Sequence, residues 1–550
     1  MLRRVALFSV LAARLALGAP ATEGKPVVDL SYGSFQGTVT GNTTMFLGMP
    51  YASPPIGALR FEPPQLPVPF AGVRQATQFG SACPQQKTTL HQILPFEIEI
   101  SGYNGTASED CMFINVYTPA GFTAEDNLPV IFWVERGAFA SGDSSLYAGQ
   151  NIVDRSVALG EPVIFVSHNY RLNAFGFLAS QEVQDAGLTN IGMRDQRFAM
   201  EWVRSNIRGF GGDPTKVTLW GDSSGSLAVA LQLVIDNGDT HGLFRAAIME
   251  SGSTTPLPAM SGGQPYYDIL VENTNCTDAE DTLECLRYAP YEALIDAVQL
   301  TPNVYDYQSL DFAWVPRIDN DLFSRSPQKS YQLGLYAHIP LLTGDCDDEG
   351  TLFSLTSVNV TTDAEFLTYI QTFFVSGATD EQLQAIAEAY PQDPADGSPF
   401  GTGNNYTLSP QYKRIAAFQG DWEFQAPRRF TLGIASKSQN TWAYRYSRGD
   451  NYPYLGSYHS SDLPEFFTDV DYIGMDAIIN FATNLDPNAP ADLPANISHL
   501  SGFHWPLWNS SADAPPLFTF TDPVPTFNIT SDTYRLEQTN LLTTIALQMV

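Results

Sequence analysis

The segment KVTLWGDSSGSLAVALQLVI, residues 216–235, constrains the fold more tightly than any other part of the chain. A β-rich run, Lys216 to Trp220, ends in Gly221-Asp222-Ser223-Ser224-Gly225, and a helical pattern begins at once. G-x-S-x-G between a strand and a helix is the turn that lifts a serine hydroxyl out of a packed sheet. Such a hydroxyl is a weak nucleophile at neutral pH. It needs exposure, a base to take its proton, and donors for the oxyanion that forms. Gly221 and Gly225 let strand and helix approach where a Cβ would clash, and the Ser224 N–H at the helix start faces developing negative charge. A plain Ser/Gly helix cap is the competing reading of these five residues taken alone.

The surroundings favour the turn. Pro129–Val134 (PVIFWV), Pro162–Ser167 (PVIFVS) and Lys216–Trp220 have the form of buried strands, while Asp195–Ile207 has helical spacing with Phe198, Trp202 and Val203 on one face. Strand, helix and strand in alternation predict an α/β fold with a large, mostly parallel central sheet flanked by helices. Ile339–Thr343 and Thr441–Ser447 are two further strand candidates. The Pro-, Gly- and Asn-rich stretches 391–410 and 486–496 read as surface loops of one large domain, because no fresh pattern of strands and helices follows either. Gly-Asp-Ser followed by Gly also occurs in trypsin-like proteases, where the nucleophile comes last in an all-β double barrel. Here a helix follows Ser223 and more than 300 residues remain. The order serine, acid, histidine is therefore expected.

Composition narrows the setting. With 550 residues, 44% of them apolar, the chain can bury a large core. A formal charge of −31, from 28 basic and 59 acidic residues, leaves no basic stripe for phosphates, which excludes nucleic acid and matches anionic membranes poorly. Arg3 and Arg4, the apolar run Val5–Ala13 and small residues around Gly18–Ala21 read as a secretory signal over residues 1–19, although Arg14 interrupts the pattern. Residues 20–550 form the expected single domain, with Leu541–Val550 as a terminal helix. Eight Asn-x-Ser/Thr sequons, at Asn42, Asn104, Asn275, Asn359, Asn405, Asn496, Asn509 and Asn528, agree with export. Five cysteines suggest two disulfides and a spare thiol. Four cysteines allow three pairings, of which the sequential one, Cys83 with Cys111 and Cys276 with Cys285, closes two local loops and leaves Cys346 free.

Five of the seven histidines follow Ser223. His241 lies close behind the nucleophile helix and His338 directly precedes a strand, so both are expected to pack or cap. His499 and His504 have no preceding strand. His459, in LGSYHSSDLPEFF beyond the strand Thr441–Ser447, is where a base should be presented. For the acid, IPLLTGDCDDEGTLF crowds Asp345, Asp347, Asp348 and Glu349 together, and spacing does not select among them. Asp345, Asp347, Glu349 and Gly350 echo the start of a calcium loop, but its twelfth position would be Thr356 and no flanking helix pair is evident.

At this point the chain resembles the type-B carboxylesterase and lipase family, which includes cholinesterases and fungal lipases of the Candida rugosa kind. FGGDPTKVTLWGDSSG is similar to its nucleophile signature, EDCMFIN to its second signature and FLGMPYASPPIGALRF to its N-terminal segment; NYRLNAFGF and NIGMRDQRFAMEWV also match. The resemblance implies an α/β-hydrolase with nucleophile Ser223, acid Glu349 and base His459. It implies disulfides Cys83–Cys111 and Cys276–Cys285, and structural ion pairs Arg60–Glu109 and Arg171–Asp195. It also implies oxyanion donors at the N–H groups of Gly137, Ala138 and Ser224.

Three departures stand out. The usual His/Tyr-Gly-Gly-Gly-Phe is Glu135-Arg136-Gly137-Ala138-Phe139, the usual Glu or Gln before the nucleophile is Asp222, and the loop between Cys83 and Cys111 lacks the tryptophan of a choline site. Leu90, Ile93, Leu94, Phe96, Ile98 and Ile100 make that loop an apolar lid over a lipase groove or a packed flap beside an esterase pocket. The expected reaction is acyl transfer from a small-molecule or lipid ester, with contact at a lipid interface for a lipase and with no metal or cofactor. The alternative is a catalytically silent binding or adhesion protein on the same fold. Activity is expected to fail as His459 is protonated, between pH 5 and 7 if it titrates as free imidazole.

Overall fold

Long apolar runs become strands buried on both faces, as expected for the centre of a parallel sheet. A computed structural model describes residues 25–88, 90, 94–96, 105–121 and 123–549. Its main sheet has eleven strands: β1 (Thr38–Thr40), β2 (Thr43–Pro50), β3 (Phe113–Pro119), β4 (Leu128–Val134), β5 (Ile164–His168), β6 (Gly212–Asp222), β7 (Ala246–Glu250), β8 (Leu341–Cys346), β9 (Thr441–Tyr446), β10 (Pro516–Phe520) and β11 (Phe527–Ser531). Their spatial order is β11-β10-β9-β8-β7-β6-β4-β5-β3-β2-β1. From β5 through β10 every neighbouring pair is parallel, and the pairs at both edges are antiparallel. The mostly parallel sheet flanked by helices is thus present. A small sheet of Val27–Leu30, Gly33–Gln36 and Val73–Gln75 lies apart from it.

Observed element bounds differ from those read off the sequence by a few residues. The strand expected over Lys216–Trp220 runs from Gly212 to Asp222, and that expected over Ile339–Thr343 runs from Leu341 to Cys346. The helix read from Asp195 starts at Ile191, where Asn190 turns in with φ 51°. Parallel pairing lengthens β6: its first residue meets Leu128, and its last three extend alongside β7. Trp133 and Trp220, on neighbouring strands, pack edge to face at 4.7 Å. Each indole N–H finds a buried carboxyl, Trp133 donating to Glu135 at 3.0 Å and Trp220 to Glu250 at 2.8 Å.

Both disulfides form as the resemblance implies, Cys83–Cys111 and Cys276–Cys285, and Cys346 is a buried free thiol. Both ion pairs form as well. Arg171 grips Asp195 through two side-chain bonds of 2.8 and 2.6 Å, both residues being buried, and so fastens the segment after β5 to the helix Ile191–Asn206. Arg60 holds Glu109 at 2.6 and 2.7 Å and also donates to the carbonyls of Arg287 and Ala289, tying in the helix Thr282–Tyr288. Forked pairing of this kind is the geometry in which a buried charge is tolerated; the remaining Arg60 donors are met by those carbonyls, whereas Arg171 Nη1 is buried without a partner among the described residues.

Seven sequon asparagines, Asn42, Asn275, Asn359, Asn405, Asn496, Asn509 and Asn528, are exposed. Asn104, the expected signal over residues 1–19, and Ile93, Ile98 and Ile100 of the apolar loop lie outside the described residues. Leu90, Leu94 and Phe96 pack against Leu352, Leu355, Tyr412 and Leu455, with Phe96 stacked on Tyr454 at 4.7 Å. Among the described residues, no helix is long and apolar enough to cross a membrane.

Candidate active site

Ser223 joins β6 to the helix Ser224–Gln232 with φ 56° and ψ −126°. This is a sparsely populated conformation for a residue with a Cβ, of the kind that costs about 1–3 kcal/mol and persists only where the surroundings enforce it. The enforcement is visible. The Ser223 N–H donates to the Glu250 carbonyl at 2.9 Å, and the Leu227 N–H donates to the Ser223 carbonyl at 2.9 Å. A Cβ on Gly221 would stand 2.5 Å from the Gly225 backbone, and one on Gly225 would stand 2.2 Å from the Val134 carbonyl oxygen. The two glycines of the pattern are therefore packing requirements.

Four adjacent strands deliver the chain of groups next to Ser223. It follows β6, Ser251 follows β7, Glu349 lies just beyond β8, and His459 lies in the loop after β9. Crevices outside the carboxyl ends of parallel strands are where α/β sheets bind ligands. His459 Nε2 is 2.8 Å from Ser223 Oγ, and His459 Nδ1 is 2.5 Å from Glu349 Oε2. The other Glu349 oxygen accepts from Ser251 Oγ at 2.6 Å and from the Cys346 N–H at 2.7 Å. The imidazole is 2% exposed and lies between Phe353 and Phe424, at 5.0 and 4.8 Å between centroids.

The four clustered carboxylates separate by partner. Asp345 faces Arg428, Asp347 faces Arg445, and Asp348 accepts from Ser398 Oγ, the Phe400 N–H and the Ser457 N–H. Asp348 thereby pins the His459 loop, and Glu349 alone of the four reaches the imidazole. Gly350 is forced, since a Cβ there would meet the Ala416 carbonyl oxygen at 2.0 Å. Among the other histidines behind Ser223, His241 sits against Asp236 and His338 stacks on Tyr336, both exposed; His499 and His504 are exposed too.

Burial sets the electrostatics. Desolvation lowers His459 to about 3, opposed by the charge of Asp222 and reinforced by Arg136, so the ring is neutral and able to accept a proton over the physiological range. This moves the expected loss of activity below the pH 5–7 range of free imidazole. Burial pushes Glu349 well above the usual carboxylate range, with Asp345 adding to the shift and the Ser251 and Cys346 donors opposing it. Around the turn, burial likewise raises Asp222, Glu250 and Asp462, the last to about 7.

The donor loop follows β4. Gly137 has φ 112°, and a Cβ there would lie 2.0 Å from the Ser141 carbonyl oxygen. Ala138 and Phe139 both take φ 57°, left-handed values reached at some cost by residues with a side chain. Among the described residues no protein acceptor engages the Gly137 or Ala138 N–H, and the Ser224 N–H is one of the unpaired donors of a helix start. The loop is held from its flanks: Tyr170 Oη donates to the Glu135 carbonyl at 3.0 Å, and the Asn173 N–H donates to the Phe139 carbonyl at 2.7 Å.

Three contacts were not legible in the sequence. Arg136 Nε lies 3.1 Å from Asp222 Oδ2, joining the two departures from the family pattern into one ion pair. Ser460 Oγ donates to the same oxygen at 2.8 Å. Ser251 braces Glu349, and only the adjacency of β7 and β8 reveals it. Chemically, the arrangement offers a strained serine, a neutral base within hydrogen-bond reach, a carboxylate fixing the base's tautomer, and free N–H groups opposite: the parts of acyl transfer.

A model of the Carboxylesterase family matches residues 24–505. The chain is 38% identical over 530 residues to "Lipase 2" of Diutina rugosa, covering 91% of this chain and 92% of that one. It is 36% identical over 527 residues to "Secreted triacylglycerol lipase LIP1" of Gibberella zeae, with 90% and 87% covered. Among solved structures it superposes on Aspergillus niger EstA with a TM-score of 0.80 and 27% identity, covering 96% of this chain and 99% of that one.

Proposed function

The chain belongs to the carboxylesterase family and is a carboxylic ester hydrolase, and from that premise we propose that Ser223 is its nucleophile, His459 its general base and Glu349 the acid that holds the base. Ser223 Oγ attacks the ester carbonyl as His459 Nε2 takes its proton, and the N–H groups of Gly137, Ala138 and Ser224 receive the oxyanion. The imidazolium returns the proton to the leaving alcohol. Water, deprotonated by the same ring, then releases the acid from Ser223.

The observation that carries this reading is the unbroken relay from Ser223 Oγ through His459 to Glu349, at 2.8 and 2.5 Å. A silent binding protein has no use for a base held against a strained serine. The test is a panel of p-nitrophenyl esters of rising chain length, run with wild type and Ser223→Ala, beside mass mapping after a phosphonate probe. The expected result is a label on Ser223 and a loss of about 10⁶-fold in kcat in the variant. Turnover persisting in Ser223→Ala would refute the assignment.

The substrate we assign is an apolar ester, supported by a cavity of about 440 Å³ whose wall includes Phe139, Leu227, Leu257 and Phe374, and by the lipase names of the relatives. Residues 20–550 are read as one hydrolase domain, a reading supported by the family match across 24–505. Secretion is read from the seven exposed sequons and from relatives named as secreted lipases. Peptide-N-glycosidase treatment of protein recovered from culture medium, with sequencing of its N-terminus, tests it.

A further inference from the structure

The wall of that cavity carries two carboxyls, Asp311, which is exposed, and Glu423, which is buried. Glu423 is 9% exposed and lines the cavity together with Leu310, Phe312, Phe374 and Trp422. Among the described residues no group hydrogen-bonds to its carboxyl or pairs with it. Its oxygens are not fully enclosed and so open onto the cavity, where a small number of placed polar groups fix a ligand's orientation.

Local structure explains how the carboxyl is held there. Asp421–Gln425 is a π-helical turn between the helices Tyr412–Gly420 and Ala426–Ala435, an irregularity frequent at functional sites. Its other members are anchored elsewhere. Asp421 accepts from Arg535 at 2.9 Å and from Tyr390 at 3.0 Å, Gln425 donates to the Cys346 carbonyl at 2.9 Å, and Phe424 packs on the His459 ring at 4.8 Å. Trp422 and Glu423 are left on the cavity wall. Ser223 is not itself on the cavity wall, but the wall reaches its neighbours: Phe139 of the donor loop, and Leu227, whose N–H donates to the Ser223 carbonyl.

We propose that Glu423 makes this cavity a subsite for an acyl chain bearing a hydroxyl group, which the carboxyl recognises by a hydrogen bond that a plain hydrocarbon chain cannot supply. The inference rests on the reading of Ser223 as the nucleophile. Burial raises Glu423 to about 8, so at neutral pH the group is mostly protonated and can both donate and accept. The other carboxyl on the wall, Asp311, is raised by burial and lowered by the nearby Arg317. A neutral carboxyl suits a hydroxyl better than an ammonium, whose burial would require ionising Glu423.

The test compares p-nitrophenyl octanoate with its terminal-hydroxy counterpart, and shorter and longer pairs, on the full-length enzyme and its Glu423→Gln and Glu423→Leu variants. In Glu423→Leu the ratio of kcat/KM for hydroxy over plain ester is expected to fall about tenfold, with the plain ester gaining and the hydroxy ester losing. Glu423→Gln, isosteric and still able to hydrogen-bond, should keep most of the wild-type ratio. An unchanged ratio across the three proteins overturns the proposal, as does a parallel rise or fall of both esters, which would make Glu423 only a wall residue. A wild-type preference for amino-acyl over hydroxy-acyl esters, lost in Glu423→Leu, overturns it in favour of a cationic group. Persistent turnover in Ser223→Ala is a separate failure, of the nucleophile assignment, and leaves these ratios readable.

Discussion

The nucleophile turn and the donor loop sit at the ends of neighbouring parallel strands, and both hold non-glycine residues at positive φ: Ser223 at 56° on one side, Ala138 and Phe139 at 57° on the other. They are stabilised by different means. The turn is clamped by backbone against backbone, with Gly221 on Gly225, Gly225 on the Val134 carbonyl, and Gly252 on the Ser223 carbonyl at 2.8 Å from a would-be Cβ. The loop has two glycines packed on its own backbone, Gly137 on the Ser141 carbonyl and Gly142 on the Arg136 carbonyl, and it hangs on side chains besides: Arg136 on Asp222, Tyr170 on the Glu135 carbonyl, and Gln85 on the Gly142 N–H at 2.7 Å. A glycine clamp tolerates almost no change of sequence, whereas a loop held by side chains can exchange its residues if new partners arise together. Arg136 and Asp222 are partners of this kind.

Breaking the clamp should have the largest effect. Gly225→Ala drives a Cβ to 2.2 Å from the Val134 oxygen, and overpacking of this kind costs about 1–3 kcal/mol or more. A lowered melting temperature together with loss of ester hydrolysis is expected; a fully active, equally stable variant would show that strand and helix can part without consequence. Next comes the glycine at the donor position of the loop. Gly137→Ala, whose Cβ would meet the Ser141 oxygen at 2.0 Å, should misdirect one oxyanion donor and lower kcat by about 10²- to 10³-fold, with KM changing little. A rise in KM at constant kcat would argue that the loop binds substrate and does not serve the oxyanion.

Arg136→Met should act more mildly, because the guanidinium side chain is 28% exposed and touches the turn only through Asp222. The expected loss is about tenfold in kcat, partly restored by Arg136→Lys. If Arg136→Met leaves kcat intact, Tyr170, Asn173 and Gln85 suffice to hold the loop. The smallest effect is one of position on the pH axis. His459 must be neutral to act, and burial lowers its affinity for the proton, so kcat/KM should stay level through pH 6.5 and fall only below the range of free imidazole. A limb centred at 6.5 or higher, on protein that is still folded, would mean that the ring is not shielded in the working enzyme.

Much of the site was legible because it is written in local patterns. Ser223 was marked by glycines at fixed offsets between a strand and a helix, and His459 by its loop beyond a β-rich run. Glu349 was legible only through resemblance, since four carboxylates share its neighbourhood and their spacing is uninformative. The structure separates them by their partners, Arg428, Arg445 and the Ser457 loop, all distant in sequence. Strand ends drifted because parallel pairing, and not propensity, decides where β6 and β8 stop. Ser251, Ser460 and Glu423 carried no signal: a lone serine or glutamate reads alike on a surface and in a cavity wall.

By itself the sequence determined the alternation of strands and helices, the strained turn at Ser223 and the chain order of its partners, since these rest on backbone sterics and short-range periodicity. Only the tertiary structure decided which carboxylate meets His459, that Arg136 and Asp222 form an ion pair, and that Glu423 stands without a protein partner on a cavity wall. Those facts depend on distances between segments up to hundreds of residues apart, and on the burial that gives each charge its cost.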